Sequence, residues 1–445
     1  MKRTGPCLLT GLMSILLAGS GEIIAYPLNG YETTGIGRLE AARRIETGEM
    51  AGARQPHGAL LTMDKVDIRL RDYPDLQIPE PDPELTRKLI TLLGERAERY
   101  QVAILDLSQP GQPRYAAHHD DYRANVGSVG KLLVALAVFQ TLADLYPDDT
   151  EQRNRILRDT RITADEFVLT DHHTVRMWNP ETGILNRKVL APGDTGSYWE
   201  FLDWMMSASS NAAASIVIKN AMLLRQFGRD FPVDFATGQE FFTTTNKEAL
   251  AKLLTETLQP PVTRNGMDLN QIRQGSFFTA TGQRKVQGTT SYATPRSLID
   301  LLLRMEQGKL VDEYSSREIK RLLYSTERRI RYASAPALND SAVYFKSGSL
   351  FECRPEPGFR CFQYHGNVKN LMNSVAVVES PAGERKHHYL VALMSNVLRR
   401  NSAYDHQSLA TGIHELITTG EIHNATFLQR AEDEPPGAQE EAVSQ

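Results

Sequence analysis

Cysteine is scarce in this chain, with three among 445 residues, which excludes a disulfide-stapled scaffold and a cysteine-rich metal module. Basic residues are not in excess either. Fifty Lys and Arg stand against 54 Asp and Glu, a net charge of −4, so no basic face for a nucleic-acid partner is expected. No internal repeat is visible. The histidine pairs His172–His173 and His387–His388 lack a ligand spacing such as H-E-x-x-H, and no metal or other cofactor is expected. Trp199 and Trp204, on one expected helix, are most simply core.

What is present at the N-terminus is "MKRTGPCLLTGLMSILLAGSGEIIAYP". Lys2 and Arg3, an apolar run and then small residues read as a secretory signal peptide over residues 1–25, cut after Ser20 or Ala25. Its apolar part is too short to span a bilayer stably. A bacterial lipoprotein would need cysteine where Ser20 stands. The expectation is therefore a monomeric periplasmic or secreted protein with no stable membrane anchor, an uncleaved anchor being the alternative. The two cysteines left after cleavage, in "FECRPEPGFRC", agree with export. Cys353 and Cys361 close a short Pro/Gly-containing loop and read as a disulfide, in the chain-entropy account a contribution of roughly 2–3 kcal/mol.

Residues 26–81 are polar and irregular, an N-terminal arm with one short helix and no function legible in it. A domain is expected over residues 82–420 and a disordered acidic tail over 421–445. Within the domain, "DPELTRKLITLLGERAERY" reads as a helix capped by Asp82, and "QVAILDLS" as a strand with a returning partner. A long helical section follows, from Ser128 to about Leu323. Three strands come late, "AVYFKSGSLF", "NSVAVVES" and "HHYLVALMSN", before a last helix, "SAYDHQSLATGIHELITTG". Strands at both ends of a helical middle predict an α+β fold: one antiparallel sheet from the two chain ends, flanked by helices, with an all-helical subdomain inserted. The site would lie in the cleft between the two parts.

Three short motifs carry the chemistry. Ser128-Val129-Gly130-Lys131 is S-x-x-K at the start of an apolar helix. A serine hydroxyl is a poor nucleophile until a neighbour takes its proton, and a lysine does so only when neutral, which calls for desolvation or nearby positive charge. Ser209-Ser210-Asn211 is S-x-N between two helices. Lys346-Ser347-Gly348 lies on an expected strand, where a cation and a hydroxyl could meet a carboxylate and the glycine would permit close backbone approach. Taken singly, each reads equally well as an ordinary cap, corner or solvated strand. Each occurs once, and in this order.

In that order, and on a helix start, a helix–helix corner and a strand, the three motifs resemble those of the serine β-lactamases and penicillin-binding D,D-peptidases. The flanks "VAILDLSQPGQPRYAAHHDDYRANVGSVGKLLVALAVF", "GDTGSYWEFLDWMMSASSNAAA" and "TTSYATPRSLIDLLLRM" are most similar to the class A β-lactamase branch, over roughly Glu84 to Gly420. The resemblance implies the β-lactamase/transpeptidase-like fold and a serine hydrolase working through an acyl-enzyme. Ser128 would be the acylated nucleophile and Lys131 its base or the base's partner. Ser209 would protonate the leaving nitrogen, and Asn211 would orient Lys131 and the acyl side chain. Lys346 and Ser347 would bind the substrate carboxylate, with Gly348 beside them, and the amides of Ser128 and Ser349 would form the oxyanion hole. The substrate would be a small-molecule β-lactam or a peptidoglycan peptide. β-Lactam hydrolysis is the first reading, a D-alanyl-D-alanine peptidase the near alternative, and a non-catalytic scaffold of the same fold the alternative of another class.

The chain departs from the class A pattern in three places. Ser210 replaces an aspartate and Ser347 a threonine. The glutamate that activates the deacylating water has no counterpart with its usual flanks between Asn211 and Ser291; Glu240 and Glu248 are available there, neither with the expected flanks. Lys369 stands as a possible second cation for the substrate carboxylate or a solvated turn lysine.

Overall fold

Apolar residues alternate in two registers along five segments, and these become the sheet of the computed structural model, which describes residues 29–327 and 329–422. The expected signal peptide and, from residue 423 on, the acidic tail lie outside the described residues. The strands are β1 (Tyr100–Asp106), β2 (Arg114–His118), β3 (Ala342–Glu352), β4 (Lys369–Ser380) and β5 (His387–Asn396). Their order is β2-β1-β5-β4-β3, with every neighbouring pair antiparallel. The first strand of the chain thus pairs with the last, as expected of a sheet built from both ends. Both of its faces are covered. Val102, Ile104, Val343 and Phe345 belong to one apolar cluster, and their strand neighbours Ala103, Leu105, Ala342 and Tyr344 to the other. This is the period-2 alternation of a pleated strand.

The helices that matter for the site are α1 (Pro83–Leu93), α2 (Lys131–Leu145), α3 (Tyr198–Met206), α4 (Asn211–Phe227), α5 (Pro295–Glu306), α6 (Glu313–Tyr324) and α7 (Ala403–Thr419). Apolar residues of α1 and α7 close one face of the sheet. The larger helical body, with α2 through its middle, closes the other. Gly127–Leu145 is the one described stretch apolar and long enough to cross a membrane, and it is the core helix of this body, 78% buried. Trp199 and Trp204 are core residues, 1% and 2% exposed.

Several elements differ from the sequence expectation. Asp82 caps α1 by accepting from the amides of Glu84 and Leu85, but α1 ends at Leu93 and Gly94–Arg99 tightens into 3₁₀ turns. The middle section is not all helix. It holds two short ribbons, Arg161–Thr163 with Thr195–Ser197 and Thr174–Asn179 with Ile184–Val189, and a minimal pair at 272–273 and 292–293. Residues 29–81 carry two helices, Gly30–Thr34 and Gly37–Glu46, where one was expected. They also enter the core, through Ile36, Leu39, Val66 and Leu70. Arg38 reaches α3 to donate two hydrogen bonds to the fully buried Asp203 carboxylate, at 2.5 and 2.6 Å. Arg69 joins a buried charge cluster, donating to Glu379 of β4 at 3.0 Å by two nitrogens. Lys320 of α6 bridges the same carboxylate at 2.6 Å and Glu306 of α5 at 2.7 Å, with His388 alongside.

Candidate active site

Ser128 does not open the α-helix itself. It sits in a 3₁₀ turn, Gly127–Gly130, that runs directly into α2 and whose backbone abuts β3. That abutment explains two glycines. A Cβ on Gly348 would be driven into the carbonyl oxygen of Val126 and lie 3.0 Å from the amide nitrogens of Ser128 and Val129. Gly127, at φ +54°, would carry its Cβ to 3.1 Å from the Ser349 nitrogen. The Ser128 turn and β3 therefore meet through backbone alone.

Lys131, one turn on, is completely buried. Its Nζ donates to Ser128 Oγ at 2.9 Å, to the Ser209 carbonyl oxygen at 2.6 Å and to Asn211 Oδ1 at 2.8 Å. The Phe278 ring centroid lies 4.9 Å from the same nitrogen. Ser209 occupies the corner between α3 and α4 in the left-handed region, φ +60°, a strained conformation that turns both its carbonyl and its hydroxyl inward. Its Oγ is 3.5 Å from Lys131 Nζ and accepts from Lys346 Nζ at 2.8 Å. One hydroxyl thus stands between two lysines. Lys346 also donates to the Ser347 carbonyl oxygen at 2.9 Å and is 2% exposed. Ser128, Ser209 and residues 346–349 line a single cleft; Lys131 and Asn211 do not line it and reach it through the Lys131 contacts to Ser128 and Ser209.

The replacement at Ser210 is answered from elsewhere in the chain. Ser210 caps α4 through the Ala213 amide at 3.1 Å, and its Oγ donates to Asp171 Oδ2 at 2.9 Å. The same oxygen accepts from the Ala212 amide at 2.8 Å. Asp171 Oδ1 takes the amides of His172 and His173 and the Nδ1 of His173, the last at 2.6 Å. Burial raises the Asp171 pKa and the His173 and amide contacts lower it; the contacts win, and the carboxyl is held far below the usual carboxylate range. Asp171 is therefore a hydrogen-bond hub with its oxygens spoken for. The other histidine pair differs: Glu306 and Glu379 beside His388 are neutralised by Lys320 and Arg69.

Among the cleft-lining residues to which the sequence assigned no site role, two carry ionisable nitrogens. His173 is one. Arg331 is the other, held at φ +55° at the start of the 3₁₀ turn Arg331–Ser334 and donating to the Gly348 carbonyl oxygen at 3.0 Å and to Ser349 Oγ at 3.2 Å, with its guanidinium 5.0 Å from the Tyr364 ring. It supplies the cation beside the motif strand that Lys369 was considered for. Lys369 begins β4 and pairs with Glu352 at 3.4 Å, outside the cleft. The two glutamates considered for water activation are also elsewhere: Glu240, on a helix (Phe235–Thr244) rather than a loop, and Glu248 (on Lys247–Leu258) are both solvent-exposed and line no part of the cleft. Cys353 and Cys361 form the expected disulfide, beyond the end of β3.

Solved structures similar to this one include a beta-lactamase from Sphaerobacter thermophilus (14% identity, 75% of this chain and 98% of that one, TM-score 0.47) and a beta-lactamase from Desulfarculus baarsii (17%, 75% and 97%, 0.47). PBP-A is a third (13%, 76% and 98%, 0.47). No curated protein matches the chain. The sequence model of the beta-lactamase enzyme family covers residues 84–411, from the helix capped by Asp82 to the last helix and across all three motifs. By that match the chain belongs to the beta-lactamase enzyme family.

Proposed function

We propose that this protein is an exported serine hydrolase that opens an amide through an acyl-enzyme on Ser128, with a β-lactam as the first substrate class. One observation carries the reading: Lys131 Nζ stands 2.9 Å from Ser128 Oγ while Asn211 and the Ser209 carbonyl hold that nitrogen in place. Neutral Lys131 takes the Ser128 proton as Oγ attacks the carbonyl carbon, a positioned general base being worth roughly 10²–10⁴-fold. The Ser128 and Ser349 amides face the growing oxyanion. Ser209 gives its proton to the leaving nitrogen and is resupplied between the two lysines. Lys346, Ser347 and Arg331 meet the substrate carboxylate, where a bidentate guanidinium adds orientation as well as charge.

A penicillin-binding peptidase that keeps its acyl group long is the second reading. What favours it is that Glu240 and Glu248 are solvent-exposed and line no part of the cleft. Intact-protein mass spectrometry after mixing with a penicillin separates the two. An adduct that appears and clears as product accumulates supports the β-lactamase, and one that stays supports the peptidase. Ser128→Ala should take no adduct; labelling that persists in this variant would move the nucleophile elsewhere.

A further inference from the structure

The acyl-enzyme reading leaves a vacancy. Hydrolysis of an ester on Ser128 needs a base for the attacking water, and the carboxylates considered for it face solvent. Inside the cleft stands another group. His173 lines the same cleft as Ser128 and Ser209, with its side chain 17% exposed while that of Asp171 is fully buried. Its Nδ1 is committed to Asp171 at 2.6 Å. Since a carboxylate can only accept, Nδ1 carries the proton and Nε2 carries the lone pair. No hydrogen bond from the protein occupies Nε2 among the described residues. Asp171 is itself fixed by Ser210, Ala212 and two further amides, so the imidazole is oriented by a carboxylate that cannot turn away. A base held by a third group, beside a nucleophile, is the arrangement that hydrolytic chemistry uses.

We propose, resting on the acyl-enzyme reading, that His173 oriented by Asp171 is the general base that activates the deacylating water. The water oxygen attacks the acyl carbonyl carbon while its proton passes to His173 Nε2. The tetrahedral intermediate then collapses, the carbon–Oγ bond breaks, and Oγ regains a proton from the imidazolium, directly or through Lys131. The products are free Ser128 and a carboxylic acid, with one water consumed. The groups that face this imidazole are Asp171, Lys131 and His172, the last stacked on it at 4.6 Å between ring centroids. Burial, the largest cause, lowers its pKa, Asp171 raises it, and Lys131 and His172 lower it again; the net direction is down from the ordinary histidine value, which favours the neutral ring. Neutral imidazole is the form a base requires.

His173→Asn tests this directly, because the asparagine amide can still donate to Asp171 where Nδ1 did but offers nothing at Nε2. With a penicillin or a slowly turned-over ester, acylation should change by less than about threefold while deacylation falls on the order of 10²-fold or more, so that adduct accumulates. Wild-type deacylation should fall as pH drops through the histidine's pKa, and the variant should lose that limb. The wild-type profile and His173→Gln keep the test open should His173→Asn not fold. Equal deacylation by wild type and variant overturns the proposal, as does a wild-type adduct that never clears. No adduct on the wild type with any donor overturns the acyl-enzyme reading instead, and the proposal with it.

Discussion

At the residue scale the site depends on positions where no atom can be added. Gly348 is the clearest, because any side chain there pushes β3 off the Ser128 turn. Gly348→Ala should therefore lower acylation on the order of 10²-fold, the cost of displacing reacting groups by about 1 Å, with only a modest change in Tm. Normal acylation kinetics in this variant would show that turn and strand need not abut. The three motifs were legible in the sequence because each is local: three or four residues set the side chains on one turn or one strand. Asp171, His173 and Arg331 were not legible, since they reach the site through contacts that no spacing announces. Asp171 lies 39 positions from Ser210, and the serine at 210 read as a loss until its partner was in view.

At the scale of elements, the late strands and the helices α2 and α4 were readable from their apolar runs. The short ribbons among the helices were not, being two to six residues long with little pattern of their own. The N-terminal segment misled for another reason. Besides the apolar Ile36, Leu39, Val66 and Leu70, its anchors are arginines, polar in any composition count, whose charges meet buried carboxylates only after folding. Arg38→Ala should thus leave Asp203 buried without its main cation, a class of change that costs about 3–5 kcal/mol, read as a shift of the urea midpoint at unchanged slope. A loss below about 1 kcal/mol would mean that Asp203 is served by its other neighbours. Replacing Arg38 and Asp203 together by apolar residues should restore much of the loss.

On the scale of the whole molecule, buried ionisable groups set the response to acid. Burial pushes the His388 and His406 pKa values down to about 3 in each case. In the unfolded chain they titrate near the ordinary value, about 6.5. Between these limits the unfolded state binds protons that the folded state refuses, so stability falls as pH falls through that window, by roughly 1.4 kcal/mol per pH unit for each histidine. Glu379 acts lower. Burial raises its pKa, but Lys320 and Arg69 outweigh that and hold it at about 2, so its contribution is lost only below the normal glutamate range. Tm should therefore drop between pH 6 and pH 4, before most carboxylates protonate, and His406→Gln should flatten the slope. A Tm constant over that interval would mean these histidines take up protons without unfolding.

The strand order β2-β1-β5-β4-β3 has one more consequence, in time rather than in space. Ser128 and Lys131 leave the ribosome early, while Lys346 to Ser349, and the two strands that hold β3 in place, come in the last third of the chain. A growing or truncated chain carries the Ser128–Lys131 pair without the strand backbone that abuts it in the folded protein. On the acyl-enzyme proposal, a fragment ending before β3 should therefore be chemically silent however well its helices form.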